Sequence, residues 1–144
     1  MTEVSEEPIH VVGLDADGVT KPAMDNTAGS ALYRVPLLLS RRPDPIWSQL
    51  LQQNWDHPPS YTLRHRPGIG RVIGQAFVLD GTTVEEVEDY HLATLQAAVD
   101  VTNSQYAEHL AAERVRKAED AAQTREHEEE VAKAAERIRS RLNQ

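Results

Sequence analysis

The chain has 144 residues, 40% of them hydrophobic and 5% aromatic, a formal net charge of −8 and no cysteine. That length fits one domain with an appendage, built on a modest core. The missing cysteines exclude disulfides, cysteine-ligated zinc and thiol nucleophiles, and the acidic total disfavours general binding to a nucleic-acid backbone.

Charge is unevenly distributed. Residues 1–30 sum to −5, and residues 31–71 to +4 through Arg34, Arg41, Arg42, Arg64, Arg66 and Arg71. Residues 72–111 sum to −7 with no Lys or Arg, and residues 112–144 hold eight charges of each sign.

Residues 1–8 (MTEVSEEP) read as an acidic, disordered lead without the basic and apolar regions of a secretory signal. Residues 9–14 suit a short strand, and the Gly, Pro, Asn and Asp content from Asp15 to Ser30 is loop chemistry. In ALYRVPLLLS, Tyr33, Val35, Leu37 and Leu39 share one strand face. Pro36 donates no ladder hydrogen bond and so is expected at an edge or a bulge.

RRPDPIWSQLLQQNWDHPP predicts a helix with both ends marked. Asp44 can cap it, Pro45 suits its first position, and Pro58–Pro59 stop it. Ile46, Trp47, Leu50, Leu51 and Trp55 form its apolar stripe. YTLRHR alternates Tyr61, Leu63 and His65 with Thr62, Arg64 and Arg66, which predicts a strand. RVIGQAFVL predicts a further strand, or two strands broken at Gly74.

Asp80 and Gly81 end that region, and TTVEE opens a helix. Thr82 with Glu85, or Thr83 with Glu86, offers a capping box, and the acids of the first turns suit the helix dipole. The apolar seam runs Val84, Val87, His91, Leu95, Ala98, Thr102, Tyr106, Leu110, passing through the poor helix formers Thr102, Asn103 and Ser104. No Pro or Gly follows Gly81. Continuous helix to about Leu142 is therefore expected, roughly 90 Å long at about 1.5 Å per residue.

Beyond Leu110 the helix becomes Ala-rich with charges of alternating sign, including Glu113–Lys117 and Glu129–Lys133 at i,i+4. Val131, Ala135, Ile138 and Leu142 make a late heptad-like stripe. Two readings stand at this point: a coiled-coil strand, or a solvated single helix held by ion pairs. The fold class is thus α+β: a small antiparallel sheet in ββαββα order, one short helix, and one long C-terminal helix projecting as a candidate coiled coil. Residues 9–111 would form the globular domain and residues 112–144 the charged helical extension.

LDADGVT places Asp15 and Asp17 after an apolar strand. Over about ten residues it resembles the first motif of the haloacid-dehalogenase-like phosphatases. That resemblance implies Asp15 as the nucleophile on phosphorus and Asp17 as the acid/base, with magnesium. Those enzymes carry a Lys and further acids on later parallel strands of a longer α/β chain. Here Lys21 is the one Lys before residue 117 and no second βα crossover follows. The competing reading is a strand that ends in a polar loop. The same residues lack the later ligands of a calcium loop.

GIGRVIG is not placed between a strand and a helix as a dinucleotide fingerprint requires, so it reads as turn and bulge. Glu88 and His91 match half of a helical di-iron motif, but its second copy is missing. His91 therefore reads as a packed, hydrogen-bonded core histidine.

Arg34, Arg64 and Arg66 are candidates for an anion site, since guanidinium forks bind phosphates and carboxylates in two-pronged fashion. Pairing with the acids of the second helix and simple solvation are the competing readings.

The leading expectation is a non-enzymatic interaction or scaffold protein. It would associate with itself or with a protein partner through Leu110, Val131, Ala135, Ile138 and Leu142. The alternatives are a small Mg-dependent phosphatase-like hydrolase using Asp15 and Asp17, and an anion-binding module using Arg34, Arg64 and Arg66. No cofactor, metal site or membrane partner is expected, and the location expected is cytoplasmic.

Overall fold

A computed structural model describes residues 7–22 and 31–144. The expected acidic lead and the expected loop lie partly outside these residues, at 1–6 and 23–30. The elements in chain order are β1 (Val11–Leu14), a 3-10 turn (Ala16–Gly18), β2 (Tyr33–Leu39), α1 (Pro45–Asp56), β3 (Gly70–Ile73), β4 (Ala76–Thr82) and α2 (Val84–Glu86). A π-helical turn (Val87–His91) then leads into α3 (Leu92–Leu142). The fold is α+β, and its order is the ββαββα of the sequence.

The sheet has four antiparallel strands in the order β1-β2-β4-β3. Val35 lies opposite Leu79 and Leu37 opposite Phe77, and all four are buried. Trp47, Leu51 and Trp55 of α1 add the helical side of the core. Trp55 joins the layers. Its ring lies edge-on to Phe77 at 5.6 Å and to His91 at 5.8 Å.

The signals at the ends of α1 work as read. Asp44 accepts from the Trp47 N–H at 2.8 Å and Pro45 opens the helix. Ile46 does not join the buried stripe and is exposed. Thr83 rather than Thr82 caps the second helix, accepting from the Glu86 N–H at 3.1 Å. The next residue, Val84, donates its N–H to the Tyr33 hydroxyl at 2.9 Å.

Two further expectations are corrected. YTLRHR forms turns, not a strand, and Tyr61 and Leu63 are exposed. Its apolar–polar alternation has no neighbouring strand to serve, because RVIGQAFVL supplies two strands, β3 and β4. These are joined through Gly74 at φ +61°, a left-handed conformation that glycine adopts without steric cost.

Pro36 lies in the inner strand β2, not at an edge. Its carbonyl accepts from the Asp15 N–H at 3.1 Å. A strand residue's N and C=O point the same way, so the proline nitrogen faces the place where β1 has already ended. No ladder donor is lost there.

The seam of the second helix is buried at Val87, His91, Leu95, Ala98, Thr102 and Tyr106, and Thr94 and Val99 are buried beside it. The unforeseen feature is the π-helical turn, whose buried residues are Val87 and His91.

The chain divides into two compact units, one through Ala107 and one from Glu108 to Gln144. Among the described residues, no helix is long and apolar enough to cross a membrane.

Candidate functional site

The C-terminal unit consists of α3 from Glu108 onward, and none of its residues is buried. Val131, Ile138 and Leu142 are 53%, 58% and 78% exposed, Ala135 is exposed and Leu110 is half-buried. These five residues lie on one seam of alternating four- and three-residue steps: 110, 114, 117, 121, 124, 128, 131, 135, 138, 142. That is the spacing by which one helix meets another. Val115, also exposed, falls off it. Ion pairs flank the seam, Arg116 to Glu113 at 2.6 Å and Arg139 to Glu136 at 3.3 Å. Glu113 thus takes Arg116 three residues on.

The three candidate arginines are each occupied within the chain. Arg34 on β2 pairs with its cross-strand neighbour Asp80 at 3.2 Å. Arg66 donates to the Gly81 carbonyl at 2.6 Å and pairs with Glu86 of the helix's first turn at 3.1 Å. Arg64 lies over the ring of Tyr90, 5.5 Å from its centroid. With no strand at 61–66, the common strand face expected for Arg64 and Arg66 does not form. Asp80 and Glu86 are thus carboxylate partners of two of the three arginines.

Asp15 and Asp17 follow an edge strand of an antiparallel sheet. The Asp15 carbonyl accepts from the Gly18 N–H at 3.0 Å, closing the 3-10 turn. A Cβ at Gly18 would lie 2.7 Å from Pro36 Cγ and 2.9 Å from Asp15 Oδ2. The turn must press this close to Pro36, so packing alone requires the glycine of the Asp-Ala-Asp-Gly run. Among the described residues, no three His, Asp or Glu side chains gather to hold a metal ion.

Two polar centres escaped the sequence reading. The first is Asn103. Its Oδ1 accepts from the Ile9 N–H at 3.1 Å and from Trp47 Nε1 at 3.0 Å, and its Nδ2 donates to the Ile9 carbonyl at 2.9 Å. Beside it Asn54 donates to Thr102 and Gln105, each at 2.9 Å, and the Tyr106 hydroxyl donates to the Asp44 carboxylate. Burial, then the hydrogen bond to that carboxylate, pushes the Tyr106 phenol well above its ordinary value of 10.0. The poor helix formers of the seam are thus the residues that tie the N-terminal strand and α1 to the helix.

The second centre is His91, which is fully buried with neither ring nitrogen hydrogen-bonded to a protein group. Its burial matches the sequence reading and its lack of a hydrogen bond does not. Burial lowers its pKa from 6.5. The Glu86 carboxylate opposes that shift, while Arg66 and His65 add to it. His65 is itself held by the Trp55 carbonyl at 2.8 Å. The 3-4 periodicity runs unbroken through residues 84–95, so no sequence signal marks the π-turn.

The fold and its exposed seam define a small α+β protein with a long, solvated C-terminal helix. No family model, curated protein or solved structure matches the chain.

Proposed function

We propose that the protein is a non-enzymatic interaction or scaffold protein that associates through its C-terminal helix. One observation carries this reading. Helix α3 continues to Leu142, yet its last buried residue is Tyr106. Of the large exposed apolar side chains beyond it, Val131, Ile138 and Leu142 share one coiled-coil seam, and Val115 falls off it. Fully covering such side chains stabilises by roughly 1.5–3 kcal/mol each. That is far more than the few tenths of a kcal/mol expected from each surface ion pair of a solitary helix. The absence of cysteine supports a cytoplasmic setting.

Sedimentation of the full chain tests this reading, alongside the double variant Ile138→Glu/Leu142→Glu. The intact chain should associate with itself or retain a partner in pull-down. The variant should lose that association while its near-UV circular dichroism, a report on Trp47 and Trp55, stays unchanged. Equal behaviour of the two chains would overturn the assignment.

A further inference from the structure

We infer that the partner helix is a second copy of this chain, running antiparallel, with Lys117 of one copy set against Glu128 of the other. The inference rests on the proposed association through the C-terminal helix and specifies its partner and direction. The seam residues of α3 are not uniformly apolar. Arg114, Lys117 and Glu128 stand on it together with Leu110, Ala121, Thr124, Val131, Ala135, Ile138 and Leu142.

In a parallel, in-register pair each seam residue meets its own copy. Arg114 would then face Arg114, Lys117 would face Lys117 and Glu128 would face Glu128, three like-charge layers at the contact itself. Asp120 against Arg125 of the other copy would favour that arrangement, but from the rim, where water screens it.

An antiparallel pair with its two-fold axis between Ala122 and Gln123 gives a different set of layers. Lys117 meets Glu128 twice, once on each side of the axis. The small residues Ala121 and Thr124 meet at the centre, where the two backbones come closest. Leu110 covers Ala135 at each end. A further layer lays the aliphatic stem of Arg114 over Val131 of the second copy, and beyond the Leu110–Ala135 layers Ile138 and Leu142 come level with Ala107 and Asn103 of that copy. At the rim Asp120 faces His127 of the second copy. Every charged layer is then either opposite in sign or shielded by a stem, so the charge pattern selects the antiparallel pair.

The test uses the full chain, which conveniently lacks cysteine. Lys117→Glu and Glu128→Lys should each raise the dimer dissociation constant at least about fivefold, since each reversal places two like-charged pairs in the dimer. The double reversal should restore it. Direction is read from Leu110→Cys and Ala135→Cys under oxidation. In the antiparallel pair each variant alone leaves its two thiols about 37 Å apart at ~1.5 Å per residue, and a disulfide forms when the two variants are mixed. A dimer in which Ala135→Cys alone cross-links would overturn the antiparallel pair while leaving helix association standing. A chain that stays monomeric at its highest soluble concentration would overturn self-pairing itself.

Discussion

Residues 84–107 and residues 108–142 belong to one run of helix but are stabilised in opposite ways. In the first stretch the helix buries Leu95, Ala98, Thr102 and Tyr106 and spends its polar residues on long-range ties such as Asn103 to Ile9. In the second no residue is buried, and side-chain pairs such as Glu113 with Arg116 and Glu136 with Arg139 are local. Poor helix formers stand where tertiary contacts hold the helix, and Ala, Glu and Arg fill the stretch where local propensity must hold it. Propensity is therefore an inverted guide here: the weakest helical sequence occupies the best-anchored part.

The largest effect that would sharpen this contrast is at Trp55. It is fully buried and touches Phe77 and His91. Trp55→Ala should cost about 3–5 kcal/mol, read as a fall in the denaturation midpoint reported by Trp47 fluorescence. A midpoint within about 0.5 kcal/mol of the parent chain would mean that the layers do not meet at this ring. Next in size is Asn103→Ala. It leaves the Ile9 N–H and carbonyl and Trp47 Nε1 without their partner, so about 2–3 kcal/mol should be lost. Helix propensity alone predicts the reverse, a small gain, since Ala is the better helix former. The sign of this one substitution separates the two ways of holding a helix.

How much of this was legible varied with the range of the interaction. The caps at Asp44 and Thr83, the stop at Pro58, the hairpin break at Gly74 and the buried seam from Val87 to Tyr106 are local or periodic, and the sequence displays them. The candidate helix-pairing residues were legible as a stripe, though the charged seam positions 117 and 128 emerge only when the heptad is extended back through the Ala-rich stretch. The alternation of YTLRHR imitates a strand, but strand formation depends on a neighbour that the local pattern does not encode. Pro36 was placed at an edge because the rule concerns its missing donor. Where β1 stops relative to it is a matter of register between distant segments. Asn103 was beyond reach for the same reason: its partner Ile9 lies 94 residues away.

The smallest effect concerns His91, and it too divides the helix. The unfolded chain titrates this imidazole at its ordinary 6.5, while in the fold burial holds the pKa lower. The folded state therefore binds fewer protons than the unfolded state once the pH drops below 6.5. Stability is full above that value and declines as the pH falls from 6.5 toward the depressed folded pKa. Three neighbouring groups bear on the ring: Glu86 from the helix's first turn, which moderates the loss, and Arg66 and His65 from the loop before β3, which deepen it. His91→Leu should flatten this part of the pH–stability curve, measured by urea denaturation with tryptophan fluorescence from pH 7.5 down to about 5. His127, on the exposed stretch, offers the control, because it is exposed and takes no part in the buried core. His127→Leu should leave the Trp-reported curve unchanged. If the slope survives in His91→Leu, the acid sensitivity does not arise at this ring. The π-turn would then be a packing device with no titrating role.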